Sequence, residues 1–336
     1  MRWVAIARRL LTALPLAAGI VLVTFFLLRL MPGDPVDIAM GAAGNVTQEE
    51  IDSLRQSLGL DRPVWDQAGV FLYGLVRGDL GESIRSRTPV TELLKQALPA
   101  TLELSFAAVL LSVLIALPVG VMSAVRPRSL WDRVVMSGAF LGISMPPFWL
   151  GLVLMTIFSV MLGWLPTSGR LDAGVTVPTI TGFLLLDTLL TGRWAEFGQA
   201  VRHLILPALT LGAELTAILS RVVRSSMLEV MGMDYIRTAR AKGLAEWKVV
   251  LRHALRNALI PSVTILGLQF GVLMGGNMIV ETIFSWPGLG RLVVDAIFAR
   301  DYPVVQGAVL LYAITFLLIN LLVDVLYTWL SPRIDL

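Results

Sequence analysis

Groups able to do bond chemistry are sparse in this sequence. It contains no cysteine, which excludes disulfides, thiolate metal sites and a cysteine nucleophile. The two histidines, His203 and His253, form no metal-ligand spacing, and neither stands in a serine–acid pattern. No Gly-Lys pair occurs, so the phosphate cradle of a P-loop cannot be built. The expectation is a chain with no catalytic residue, no metal and no cofactor of its own.

The remaining polar candidates lie inside apolar runs. Glu214, Gln269, Asn277 and Asn320 are the set, and intramembrane polar residues are functional candidates. A central carboxylate costs about 2.5–3.5 kcal/mol on insertion scales, so Glu214 needs a basic partner or a water-filled cavity. The amides more often join helices, at about 0.6 kcal/mol each. Trp286-Pro287-Gly288 reads as a sharp turn: an outer gate, or a plain interfacial turn anchored by Trp286.

The elements that must position these residues follow from composition. The 336 residues are 56% hydrophobic and only 15% charged, which suits a polytopic membrane protein and not a soluble globule. The net charge of +3 does not indicate nucleic acid, because the basic residues sit in short clusters beside apolar runs. A bilayer core needs about 20 apolar residues per helix. Spans are predicted at 10–28, 104–125, 134–164 (kinked at Pro146-Pro147), 203–222, 257–280 and 302–323. The run 173–186 is too short to cross and reads as interfacial. The run 10–28 exceeds a signal-peptide core and lacks a cleavage site, so it is expected to stay.

Lys and Arg in short loops set the orientation. Arg2, Arg8 and Arg9, then Arg126, Arg128 and Arg133, then the basic segment from Arg221 to Arg256 place both termini in the cytoplasm. The expected domains are a span at 1–30, an extracytoplasmic helical cap at 31–100, and a five-helix core at 101–330. Within the cap, Thr47 and Glu50 form a capping box and Gly59 a C′ stop. A second cap helix is expected from 63 to 77, ending at Gly78.

The segment 234–261 is the most informative. Asp234 is the expected N-cap of a short helix, Gly243 the left-handed stop, and a second helix starts near Ala245. Trp247, Val250, Leu251, Ala254 and Leu255 are predicted on one stripe, with Lys248, Arg252 and Arg256 opposite. The product is a hard basic knob in which Ala239 and Ala241 allow close approach of a partner.

Tyr235 to Gly243 (YIRTARAKG) and His253 to Ala258 (HALRNA) resemble the EAA loop of binding-protein-dependent ABC importer permeases, in its peptide and nickel branch. Arg237-Thr238-Ala239 replaces the Glu-Ala-Ala opening. Met31 to Pro35, Glu281 to Arg291 and Arg300 to Gly307 resemble the same branch, so the likeness covers essentially the whole chain. It implies docking to an ATP-binding subunit through Tyr235, Arg237, Ala239, Arg240, Ala241, Gly243, His253 and Arg256. It also implies a second homologous permease, two ATP-binding subunits that hold ATP and Mg, an extracytoplasmic binding protein, and a bacterial inner-membrane location with membrane lipid around it. Dipeptides are the substrate implied first; oligopeptide, nickel, glutathione and haem-precursor permeases belong to the same branch. A stand-alone secondary transporter would show internal repeats, and an intramembrane enzyme a nucleophile with its base; the sequence presents neither.

Overall fold

A computed structural model describes residues 15, 18–30, 33, 36–37, 47–57, 59–274 and 277–330. In lipid every backbone polar group needs an internal partner, which favours helices. Among the described residues every regular element is helical except an isolated bridge between Glu82 and Pro89. In chain order the helices are α1 (Ala18–Leu30), α2 (Gln48–Ser57), α3 (Val64–Val76) and α4 (Val90–Val125). Then follow α5 (Leu130–Ser144), α6 (Pro147–Met161), α7 (Leu184–Leu190) and α8 (Trp194–Met231). The last are α9 (Asp234–Ala241), α10 (Glu246–Ala258), α11 (Ile260–Met274), α12 (Met278–Ile283), α13 (Leu289–Phe298) and α14 (Tyr302–Leu330).

The α4–α8 pair is the spine. Ala100, Leu104, Ala108, Ser112, Ala116, Gly120 and Ala124 recur every fourth residue of α4 and are all buried. Apart from Leu104 these are small residues, and they let the two backbones approach closely, as membrane helix interfaces favour. A Cβ on Gly212 of α8 would lie 2.8 Å from the Ala108 carbonyl oxygen, and one on Gly120 2.8 Å from that of Ser220. At one end of the pair Arg224 of α8 forks onto Asp132 of α5, Nε to Oδ1 at 2.6 Å and Nη2 to Oδ2 at 2.8 Å. At the other end Glu103 of α4 accepts from Arg170 (2.5 Å) and from the Leu185 N–H (2.7 Å), fastening the loop that leads into α7.

Helix extents differ from the sequence expectation. The spans expected at 104–125 and 203–222 belong to helices of 36 and 38 residues, because polar residues at helix ends outside the hydrocarbon do not interrupt the backbone ladder. The third span is not one kinked helix. α5 and α6 meet at 110°, with Pro147 opening α6 as a helix start. The fifth span is interrupted as well, because α12 begins anew after Asn277; the 52° bend between α10 and α11 falls where the second corner helix was expected to give way to the span, near Pro261. α4, α8 and α14 are long and apolar enough to cross a membrane singly, and the two bent pairs pass the same measure when each is taken as one span.

Candidate coupling surface and translocation face

The α9–α10 corner is built as a closed turn. Gly243 has φ +76°, the left-handed C′ conformation expected of it. The Leu244 N–H bonds to the Ala239 carbonyl (3.4 Å) and the Gly243 N–H to that of Arg240 (2.9 Å), the two bonds of a Schellman motif. Arg240 spans the corner with a fork onto Glu246, Nε to Oε2 at 3.1 Å and Nη2 to Oε1 at 2.7 Å. That fork holds the Glu246 carboxyl below its ordinary range. Asn257 Nδ2 donates to the Tyr235 hydroxyl at 2.8 Å, a strut between the two helices.

The corner is seated by Ile236, Ala239, Val249, Val250, Ala254 and Ala258, which pack against Ala116 and Ala124 of α4 and Leu219, Val223 and Met227 of α8. Three expectations are corrected here. The N-cap of α9 is Met233; Asp234 is its first residue and pairs with Arg237 instead (3.3 Å). Ala239 is buried in the chain's own core, so only Ala241 is presented outward. The stripe on α10 is also different, because residues Val249–Ala254 form a π-turn. Each π-turn adds a residue per turn and rotates the following face. Trp247, before that turn, and Leu251, within it, point outward, 63% and 53% exposed, beside the exposed Lys248, Arg252 and Arg256. His253 is half-buried.

The predicted translocation residues are not gathered into one site. Glu214 is exposed on α8. Gln269 is half-buried on α11, and Asn277 bonds back to the Leu273 carbonyl at 3.0 Å. Asn320 has its backbone in α14, and its side chain lies outside the described residues, as does that of Glu50 in the expected capping box. Trp286 is no interfacial anchor: it is 1% exposed and its Nε1 donates to the Ala100 carbonyl at 2.8 Å.

Around Trp286 lies a buried polar network that sequence reasoning missed. Glu281, fully buried, accepts from Thr101 Oγ1 (2.8 Å) and from the Arg291 N–H (3.0 Å). Thr101 in turn accepts from the Leu289 N–H (2.8 Å). A Cβ on Gly288 would sit 2.5 Å from both Glu281 Oε2 and Thr101 Oγ1, so glycine there is a matter of space. Phe284, Trp286 and Gly288 of the irregular turn are thus buried in protein, the setting in which non-helical backbone at membrane depth is tolerated, while Pro287 at its tip is exposed.

Two models of one transport family match the chain. Residues 116–336 match "Binding-protein-dependent transport system inner membrane component", and residues 2–105 match the N-terminal component of the same systems. The chain belongs to this family. Among its relatives, the di/tripeptide transport system permease protein DppB of Pseudomonas aeruginosa is 50% identical over 329 residues, 98% of both chains. The dipeptide transport system permease protein DppB of Escherichia coli K12 is 48% identical over 332 residues, again 98% of both. The glutathione transport system permease protein GsiC of Pectobacterium atrosepticum is 44% identical over 327 residues, 97% of both.

Within an inner-membrane component, three further carboxylates act as fasteners. Asp301, buried between α13 and α14, accepts from the Ser83 hydroxyl and from the N–H groups of Ile84 (3.1 Å) and Arg85 (3.3 Å). Burial pushes the Asp187 carboxyl up, but the Thr181 hydroxyl and surrounding N–H groups outweigh it and hold the carboxyl below its ordinary range. Asp172 faces His203 Nε2 at 3.1 Å, while His203 Nδ1 faces the carbonyls of Ser168 and Gly169 at 3.0 and 3.2 Å. His203 therefore clamps the 168–172 loop onto α8. The available sequence signal was an isolated acid or histidine flanking a predicted span.

Proposed function

We propose that the chain is the transmembrane permease subunit of an ATP-driven importer of dipeptides or short peptides. The observation that carries the reading is 48–50% identity, over 98% of each chain, to two permeases named for dipeptide and di/tripeptide transport. The chain crosses the membrane six times with both termini in the cytoplasm. Residues 31–100 form the outer cap and residues 101–330 the core. A second homologous permease completes the pore, two ATP-binding subunits bind and hydrolyse ATP with Mg, and a binding protein delivers the peptide outside.

The α9–α10 corner is the coupling element in this reading. Its Schellman closure and the Arg240–Glu246 fork make it rigid, and its exposed Trp247, Leu251 and basic residues give a partner groove something to grip. ATP-driven closure of the partners displaces the corner, and α8, continuous for 38 residues, carries that motion across the bilayer. Gly243→Asp tests this. Nothing lies within 4 Å of a Cβ at Gly243, so the penalty is conformational, about 1 kcal/mol for positive φ. The new charge also opposes the dipole at the α9 C-terminus. Expected are normal membrane insertion, reduced co-purification of ATP-binding subunits, and loss of dipeptide-dependent growth. Wild-type co-purification together with wild-type growth would overturn the assignment.

A further inference from the structure

Helix α3 is unlike a helix that faces only water. Val64, Trp65, Val70, Tyr73 and Val76 are all exposed on it, an apolar set with the Trp and Tyr of a membrane interface. It lies along α1, where Trp65 meets Phe26 at 5.2 Å between ring centroids and Phe71 stacks on Phe25 at 5.6 Å. On α1, Val23, Leu27 and Leu30 are exposed and apolar. These contacts put α3 at the depth where α1 leaves the hydrocarbon.

A cavity of about 510 Å³ lies between α3, the end of α1 and the start of α14. Arg29, Arg62 and Arg77 line it. Among the described residues no carboxylate lies within 4.0 Å of any of these guanidinium groups. Arg29 is half-buried, its guanidinium 3.3 Å from the Phe25 ring centroid and its Nε donating to Gln67 at 2.9 Å. Gln306, 3% exposed, lines the same cavity with an Nε2 that has no acceptor. Asp79 and Glu82 also border the cavity, and Asp79 accepts from the Gly81 N–H at 2.9 Å. The cavity thus offers an excess of donors and positive charge at headgroup depth.

We propose that this cavity binds the headgroup of an anionic phospholipid. Its phosphate is held by Arg29, Arg62 and Arg77, and its acyl chains run along the exposed apolar faces of α1 and α3. Guanidinium forks match phosphate geometry, so three of them beside membrane helices suit an anionic headgroup. The site is independent of which solute the chain transports.

The test uses the full-length chain, purified in mild detergent with the subunits that accompany it and stripped of lipid. Dioleoylphosphatidylglycerol, dioleoylphosphatidylcholine or inorganic phosphate is then added, and binding is read by native mass spectrometry and thermal unfolding. Phosphatidylglycerol is expected to be retained and to raise Tm, with phosphatidylcholine doing neither. The double variant Arg62→Gln/Arg77→Gln is expected to weaken phosphatidylglycerol binding at least tenfold. Both side chains are exposed, so the lipid-free Tm should not change. Arg126→Gln, outside the cavity, should bind as wild type. An unchanged response in the double variant, or an equal response to phosphatidylcholine, would overturn the proposal. An equal, variant-sensitive response to inorganic phosphate alone would replace the lipid with a soluble anion.

Discussion

Glu214 and Glu281 show how differently two carboxylates in apolar surroundings can be handled. Glu281 is fully buried and satisfied by Thr101 and the Arg291 N–H, so its role within the chain is structural. Glu214 is exposed on α8, and among the described residues no ion pair or hydrogen bond to its side chain is formed. A carboxylate on the surface of a membrane-spanning helix carries a cost of about 2.5–3.5 kcal/mol if it faces lipid. The α8 face that bears it is therefore expected to meet water or another protein surface, as half of a shared pore would. Glu214→Gln keeps the shape and removes the charge. If Glu214 lines the pathway, peptide uptake should fall several-fold while the amount of inserted protein holds. Unchanged uptake with more inserted protein would mean that the carboxylate only burdens insertion. The sequence marks Glu214 as unusual because it interrupts an apolar run, whereas nothing local to Glu281 announces its role. Thr101 lies 180 residues from Glu281, and only the packing of α4 brings the two together.

At the scale of elements, what the sequence revealed depended on whether the cause was local. Gly59 and Gly243 were legible as helix stops because a left-handed C′ needs only glycine and its immediate neighbours, and both have positive φ. The second cap helix was expected at 63–77 and occupies Val64–Val76 for the same reason. The 110° break at Pro147 and the π-turn at Val249–Ala254 were not legible. Proline signals an interruption without setting its angle, and a π-turn has no composition of its own. The α4–α8 spine lies between these cases: its helices were expected as spans, but the pairing of their small side chains was not read from the sequence. Gly212→Leu tests that interface. A side chain there would drive into the Ala108 carbonyl oxygen and Ser112 Oγ, and overpacking of a close-packed interface costs about 1–3 kcal/mol. The expected result is a Tm several degrees lower in thermal unfolding of the purified protein, with impaired uptake. Gly138→Ala on α5 is the control, because a Cβ there meets nothing within 4 Å and alanine favours the helix. Equal Tm values for Gly212→Leu and wild type would remove the spine from this account.

Across the whole molecule the charges are sorted by end. The turn 126–129, the Arg224–Asp132 fork and the α9–α10 corner share one end of the α4–α8 spine, since Ala124, Met227, Ile236 and Val249 pack together there. That end carries Arg126, Arg128, Arg133, Arg237, Lys242, Lys248, Arg252 and Arg256, in excess over Asp132, Glu229, Asp234 and Glu246. The opposite end holds the Trp286 turn, α7 and the α3 cavity, where acids such as Glu82, Glu92, Asp187, Asp295 and Asp301 are interspersed with the basic groups. Cytoplasmic loops accumulate Lys and Arg, so the corner end is expected to be inside. α14 starts at Tyr302, next to Asp301 and the Ser83–Arg85 loop, and runs back along α11, where Phe316 and Ile319 lie within 4 Å of a Cβ placed on Gly271, so its far end is directed toward the corner end. A reporter fused after Leu336 should therefore be active only in its cytoplasmic form. The same reporter inserted near Gly44 should be active only in its external form. A third insertion at Gly174, in the loop before α7, where an added Cβ would meet nothing within 4 Å, should agree with Gly44. Agreement of all three requires the Glu103–Arg170 and Asp301–Ser83 fasteners to lie on the outer side, facing the compartment from which solute arrives. Reversed activity at Leu336 and Gly44 together would invert the molecule and put the α9–α10 corner out of reach of any ATP-binding partner.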